Sequence, residues 1–257
     1  ILILFCLVPS IASAALADNL VSYWKLDESS GNAADSHGSN TLTNTNTATF
    51  NTGKINNAAY LVRTSVQYFT VSAGSLDVTG DLTISGWFYF STLPGAGISF
   101  SLVAKSKATA NYNYGYRFMV ENVSGTYSIL ADIMNNNDQV VKKTITPSTD
   151  TWYHYVMVYT AAIPQVEFFV NGSSIGVGTG TLTNTSIGVT TDDFQVGILT
   201  ANSDFAFNGR IDEVSIWSRA LTSAEVSSLY NSGAGNQYPF TELSAIIYNF
   251  FAPLFFE

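Results

Sequence analysis

The sequence predicts an all-β fold: a two-sheet antiparallel β-sandwich of the jelly-roll type, with one short helix near its C-terminal end. Three observations carry this. Short runs of alternating apolar and polar residues recur along the chain, separated by turn residues. Only the stretch 222–233 changes to a helical period. The composition is 46% hydrophobic, 14% aromatic and 11% charged, and the polar remainder is mostly Ser, Thr, Asn and Gly. That gives material for a large core beneath a β-type surface.

Residues 1–17, ILILFCLVPSIASAALA, read as an export signal with two cleavage frames, at Ala12 and Ala14 or at Ala15 and Ala17. No Met or basic segment precedes Ile1, so this signal is expected to be truncated at its start. The run is short for a membrane span. The single cysteine, Cys6, lies inside it, which leaves a mature domain, 18–236, without a disulfide. Residues 20–31 form a strand ending in an acidic turn at Asp27 and Glu28, and a loop follows at 34–42. The Thr/Asn-rich run 41–49 is expected to be an exposed loop. A strand then carries Leu82, Ile84, Phe88 and Phe90 on one side, and 102–105 pairs with 115–118 around a variable loop. Residues 151–159 make a further strand, and Asn171-Gly172 closes a hairpin with a type I′ turn.

In 211–217, period two places Asp212, Val214 and Ile216 on one face, and Ile211, Glu213, Ser215 and Trp217 on the other. Thr222 then caps a helix, with Glu225 completing a capping box and Leu221 and Val226 forming a staple. Gly233 is the expected stop. The apolar tail 237–257 either opens a further element or docks on the sandwich.

The order Gly209, Ile211, Asp212, Glu213, Trp217, Arg219, Ala220, Leu221, Thr222 resembles the closing strand and last helix of laminin-G-like jelly rolls in the concanavalin A-like lectin/glucanase superfamily. The opening strand with Trp24, Leu26, Asp27 and Glu28, the loop from Asp35, the stretch from Asp81 to Phe88, and Trp152 with His154 continue the resemblance over about 18–235. It implies a secreted, extracellular or cell-surface recognition module whose partner is a glycan or an extracellular protein. The alternatives are a polysaccharide-cleaving hydrolase of the same fold and a structural subunit of an extracellular assembly.

The net charge of −9 excludes nucleic acid as a partner. Glycoside hydrolysis needs two carboxylates facing one cleft. No two acids are two positions apart, and adjacent acids on a strand face opposite ways, so an enzyme is not expected. Gly172-Ser173-Ser174-Ile175-Gly176 matches a nucleophile elbow but lies in a hairpin rather than before a helix. His154 is expected to be a packed core histidine, and the four tryptophans are expected to be core. For ligand binding the expected residues are Tyr112, Asn113 and Tyr114, rings and amides beside a loop. Asp212 at a core edge needs a partner. Arg210 or Arg219 is one choice; the other, suggested by the family resemblance, is a structural calcium ion held by Asp212, Asp35 and Asn40, with Asp27 as a weaker ligand.

Overall fold

The alternating runs become strands, and the strands sort into two antiparallel sheets. In chain order they are β1 (Leu20–Trp24), β2 (Thr43–Thr45), β3 (Thr49–Thr52), β4 (Asn57–Leu61), β5 (Tyr68–Val71), β6 (Leu82–Phe90), β7 (Ser99–Lys105) and β8 (Tyr114–Val123). There follow β9 (Thr126–Asn135), β10 (Val140–Ile145), β11 (Trp152–Thr160), β12 (Gln165–Val170), β13 (Ser173–Val177), β14 (Phe194–Val196), β15 (Gly209–Trp217) and one α-helix, α1 (Ser223–Tyr230). The structure is a computed structural model that describes residues 15–72, 74–106, 114–199 and 203–241.

The first sheet runs β13-β12-β11-β6-β15-β4-β3, with β1 also paired to β15; the second runs β10-β9-β8-β7-β14-β5-β2. Between them lies the core. Ile84, Phe88 and Phe90 of β6 and Tyr155 and Met157 of β11 face Phe118 and Val120 of β8 and Ile129 and Ala131 of β9. Phe88 meets Phe118 edge-on across the two sheets at 6.5 Å between centroids. Each such ring contributes roughly 1.5–3 kcal/mol by leaving water.

A second apolar layer covers part of the outer face of the first sheet. Helix α1 lays Val226 and Leu229 on Val156, Val158, Phe169 and Trp217. The capping box forms as the sequence predicts: the Thr222 hydroxyl accepts from the Glu225 amide, and the Glu225 carboxylate accepts from the Thr222 amide. The helix ends earlier than expected, at Asn231 in the left-handed region (φ 47°) with its amide on the Ser227 carbonyl. Asn tolerates that conformation, and Gly233 falls in the 3-10 turn that follows.

One boundary differs from the sequence reading. The run 41–49 contributes β2 and the start of β3 instead of a loop, because Leu42 and Ala48 are buried and anchor it. Leu16, inside the predicted export segment, is buried beside α1, and its carbonyl accepts from the Trp217 indole at 2.7 Å. At the other end Tyr238 and Phe240 pack on the same cluster. Residues 1–14 and 242–257 lie outside the described residues.

A candidate metal centre at the fork of the first sheet

One edge of β15 pairs with β6. The other edge is shared: β4 pairs with Gly209, Arg210 and Ile211, while β1 pairs with Val214 to Trp217. The gap between β4 and β1 falls at Asp212 and Glu213. There β15 carries a bulge. Asp212 stands opposite Trp87, but Ser215 stands opposite Ser85, and Glu213 has φ 54°. One extra residue is therefore accommodated in β15.

The bulge corrects the period-two reading of this strand. Ile211, Val214 and Ile216 all reach the core, so Asp212 points away from the face it was expected to share with Val214. It also removes the premise that adjacent acids diverge. Asp27, Asp212 and Glu213 each offer an oxygen, and these atoms lie within 4.8 Å of one another.

Each carboxylate is held by neighbouring segments. Asp27 follows β1 and accepts from the Asn57 amide at 3.0 Å and from the side-chain amides of Asn56 and Gln237, both at 3.1 Å. Asp212 Oδ2 accepts from the amides of Lys54 and Ile55 at 2.7 and 3.0 Å, across the tight turn between β3 and β4. Gly53 makes that turn possible: a Cβ there would lie 2.2 Å from the Asn57 carbonyl oxygen and 2.7 Å from Asp212 Oδ2. Glu213 accepts from the Tyr23 hydroxyl and the Gln237 amide. Asp212 is 0% exposed and Glu213 4%.

Burial, with the Glu213 charge adding to it, raises the Asp212 carboxyl well above the usual range, while the amides of Ile55 and Lys54 pull the other way. Burial likewise pushes Glu213 up to about 7, with Asp27 adding to the rise. Neither arginine considered for Asp212 reaches it. Arg219 forks onto Glu225 at 2.7 and 3.0 Å, and Arg210 donates to the Thr52 carbonyl at 2.6 Å. Three close carboxylates, two of them buried, require protons or a cation. The donors are all hard oxygens, the set calcium takes, and Asp212 Oδ1 is buried without a protein partner. The residues present fit calcium.

The other expected ligands do other work. Asp35 is outside the cluster. Its carboxylate accepts from the amides of Tyr23, His37, Gly38 and Asn40 at 2.8–3.1 Å, which closes the loop 35–40 and occupies its lone pairs. Asn40 donates to the Ser22 hydroxyl and accepts from the Ser75 hydroxyl. Of the set Asp35, Asn40, Asp212 and Asp27, the structure brings Asp27 and Asp212 together, with Glu213 as the third carboxylate, and leaves Asp35 and Asn40 apart from them. Sequence reasoning missed Glu213, although a signal was present. Ile211, Val214 and Ile216 are spaced three and then two, and only a bulge buries all three.

Of the expected ligand-binding residues, Tyr112 and Asn113 lie outside the described residues. Tyr114 is 43% exposed at the start of β8, with its hydroxyl 3.3 Å from Asn136 Oδ1. Ser174 sits in the β12–β13 hairpin as expected, its hydroxyl on Glu167. His154 is buried, 2.8 Å from the Ser85 hydroxyl through Nε2, and burial lowers its pKa to about 3. A cavity of about 10 Å³ lies between His154 and Glu213, room for one water at most. Trp24, Trp87 and Trp217 are buried; Trp152 is half-buried on the outer face of the first sheet, a departure from the all-core expectation.

A laminin G family model, described as the concanavalin A-like lectin/glucanases superfamily, matches residues 63–227. No curated protein sequence matches the chain. Among solved structures, the chain is similar to the binding domain of Paraclostridial Mosquitocidal Protein 1 at 19% identity and TM-score 0.64, covering 85% of this chain and 53% of that one. It is similar to domain 4 of AbnA, a GH43 extracellular arabinanase from Geobacillus stearothermophilus solved with arabinotriose, at 18% identity and TM-score 0.60, covering 81% and 97%. It is also similar to the botulinum neurotoxin serotype G binding domain at 16% identity and TM-score 0.63, covering 82% and 50%. The chain therefore spans about half the length of the toxin binding domains and nearly all of the arabinanase domain. Matched by its family model over most of its length and by the fold of these neighbours, the chain belongs to the concanavalin A-like lectin/glucanases superfamily.

Proposed function

We propose that the chain is a non-catalytic recognition module, acting outside the cell on a glycan or protein at a cell or matrix surface, with a structural calcium ion at Asp27, Asp212 and Glu213. The observation that carries the non-catalytic reading is the closure of its acid cluster. A glycosidase pair must face a cleft that admits a sugar and a water. Here Asp212 and Glu213 are 0% and 4% exposed, and the space beside Glu213 is about 10 Å³. The carboxylates tie the first strand, the β3–β4 turn and the closing strand together, the work of a structural ion. Toxin binding domains and an arabinanase's arabinotriose-bound domain among the neighbours support recognition. Among the described residues no helix is long and apolar enough to cross a membrane.

Export is part of the same reading. The burial of Leu16 supports cleavage in the Ala12 and Ala14 frame, which keeps that residue in the mature domain. The test is the purified domain on glycan and matrix-protein arrays, run beside a reducing-end assay on polysaccharides. Binding without turnover is expected. Turnover abolished by Asp212→Asn or Glu213→Gln would overturn the proposal in favour of a hydrolase.

A further inference from the structure

On the outer face of the first sheet, beyond the cover of α1, side chains from four adjacent strands stand in one row. Tyr60 of β4 is in register with Arg210 of β15, Arg210 with Tyr89 of β6, and Tyr89 with Trp152 of β11. All four are half-buried. Their strand neighbours Ala59, Leu61, Ile211, Phe88, Phe90 and Tyr153 point to the core side, so the row faces outward by strand alternation. The Arg210 guanidinium lies 3.8 Å from the Tyr89 ring centroid and 5.7 Å from that of Trp152. Tyr89 and Trp152 are 5.5 Å apart. One turn away Lys54 stands 4.6 Å over Trp87.

The cation of this row differs from five of the others. Arg63, Lys105, Arg117, Lys142 and Arg219 each pair with a carboxylate. Among the described residues Arg210 has no carboxylate partner and makes one hydrogen bond, to the Thr52 carbonyl. Most of its five donors remain for a ligand. Its seat over the Tyr89 ring and that bond restrain it, so less freedom is lost when a carboxylate docks. The nearby acid, Asp150, is occupied by the Tyr89 hydroxyl at 2.9 Å. Against the net charge of −9, this guanidinium on an aromatic bed is a local cationic point with the fork geometry that a carboxylate takes. Four strands at about 4.8 Å spacing make a row of roughly 14 Å, the reach of an oligosaccharide lying across the sheet.

We infer that this row is the glycan site, and that its ligand is an acidic oligosaccharide whose carboxylate is taken by Arg210 while sugar faces stack on Trp152 and Tyr60. The inference rests on the recognition reading above and names the site and ligand class for it. The experiment is calorimetric titration of the whole chain, in calcium, with oligogalacturonate, oligoalginate and sialyllactose, each against its carboxyl-reduced counterpart. At least one acidic form should bind ten-fold or more tighter than its reduced form. Trp152→Ala and Arg210→Met should each weaken that binding ten-fold or more. Arg210→Lys, which keeps the charge and loses the fork, should weaken it as well, with melting temperature confirming the fold of every variant. Equal binding of acid and reduced forms, no binding of any acid, or unchanged binding in folded Trp152 and Arg210 variants would overturn the site. Binding of a neutral glycan or a matrix protein that ignores both substitutions would overturn it too, and would leave the recognition reading standing.

Discussion

Two neighbouring rows of the same sheet face make an instructive pair. Asp212, Trp87 and His154 stand in register across β15, β6 and β11; two residues along the same strands stand Arg210, Tyr89 and Trp152. The first row is sealed beneath Tyr230, whose ring lies 5.6 Å from that of Trp87 and 6.1 Å from that of His154. The second row is open. Backbone and pairing are shared, so what covers each row decides whether its polar groups are structural or available to a ligand. Under cover, a carboxylate and an imidazole bear the full cost of desolvation; in the open, a guanidinium keeps its charge at little cost.

The sharpest way to break this contrast is to remove cations. Calcium at a hundred-fold excess over its Kd should stabilise the domain by about 2.7 kcal/mol over the chelated protein, or roughly 5–10 °C in melting temperature. Asp212→Asn should abolish the difference. Identical melting in calcium and in chelator would show that the sealed row is held by protons instead.

Acid should strike the sealed row next. The His154 pKa is lowered to about 3 by burial, against about 6.5 in the unfolded chain. Between these values the unfolded state binds the extra proton, so stability falls as pH drops from about 6.5 toward 3. The His154 share of that loss should be roughly 2 kcal/mol at pH 5 relative to neutral pH, opposed by Glu213, whose carboxyl, raised to about 7, favours the folded state as pH falls through the same range. His154→Gln should flatten that limb in urea melts run across the range; an unchanged slope would reassign it to other groups.

Loosening the cover should cost less. Thr222→Ala removes the hydroxyl of the capping box and should destabilise by about 1 kcal/mol. Because α1 lies over the sealed row, hydrogen exchange there should quicken while the amides of Tyr89 and Trp152 keep their protection. The smallest effect belongs to the open row. Trp152→Ala should change stability by no more than about 1 kcal/mol, the range of a half-exposed cross-strand pair. A loss above about 3 kcal/mol would place Trp152 among core residues.

How far the sequence foretold this depends on what each signal measures. Period two reports which face is apolar, and it located β6, β11 and the β12–β13 hairpin. The capping box at Thr222 is local chemistry and was legible for that reason. The bulge in β15 was not read, because alternation was extended through a strand whose apolar positions already broke it. Composition suggested a loop at 41–49, yet two small buried anchors, Leu42 and Ala48, outweigh many threonines. The fate of Trp152 was invisible for a different reason. Residues 152, 154, 156 and 158 alternate alike, and only the extent of α1, a property of tertiary packing, separates the residue it leaves open from those it seals. Asp212 was singled out as a carboxylate at a core edge and calcium from the family resemblance; the meeting of Asp27 and Asp212 with Glu213 depends on a fork between β4 and β1 that no local pattern encodes.

The joint burial of Leu16, Tyr238 and Phe240 against Trp217 makes the two ends of the described fold neighbours in space. Anything tethered to one end therefore leaves from beside the other. Joining 15 to 241 by a short bridge and opening the chain at the β8–β9 hairpin, where Ser124 and Gly125 turn outward, would yield a circular permutant with the same sheets and the same fork.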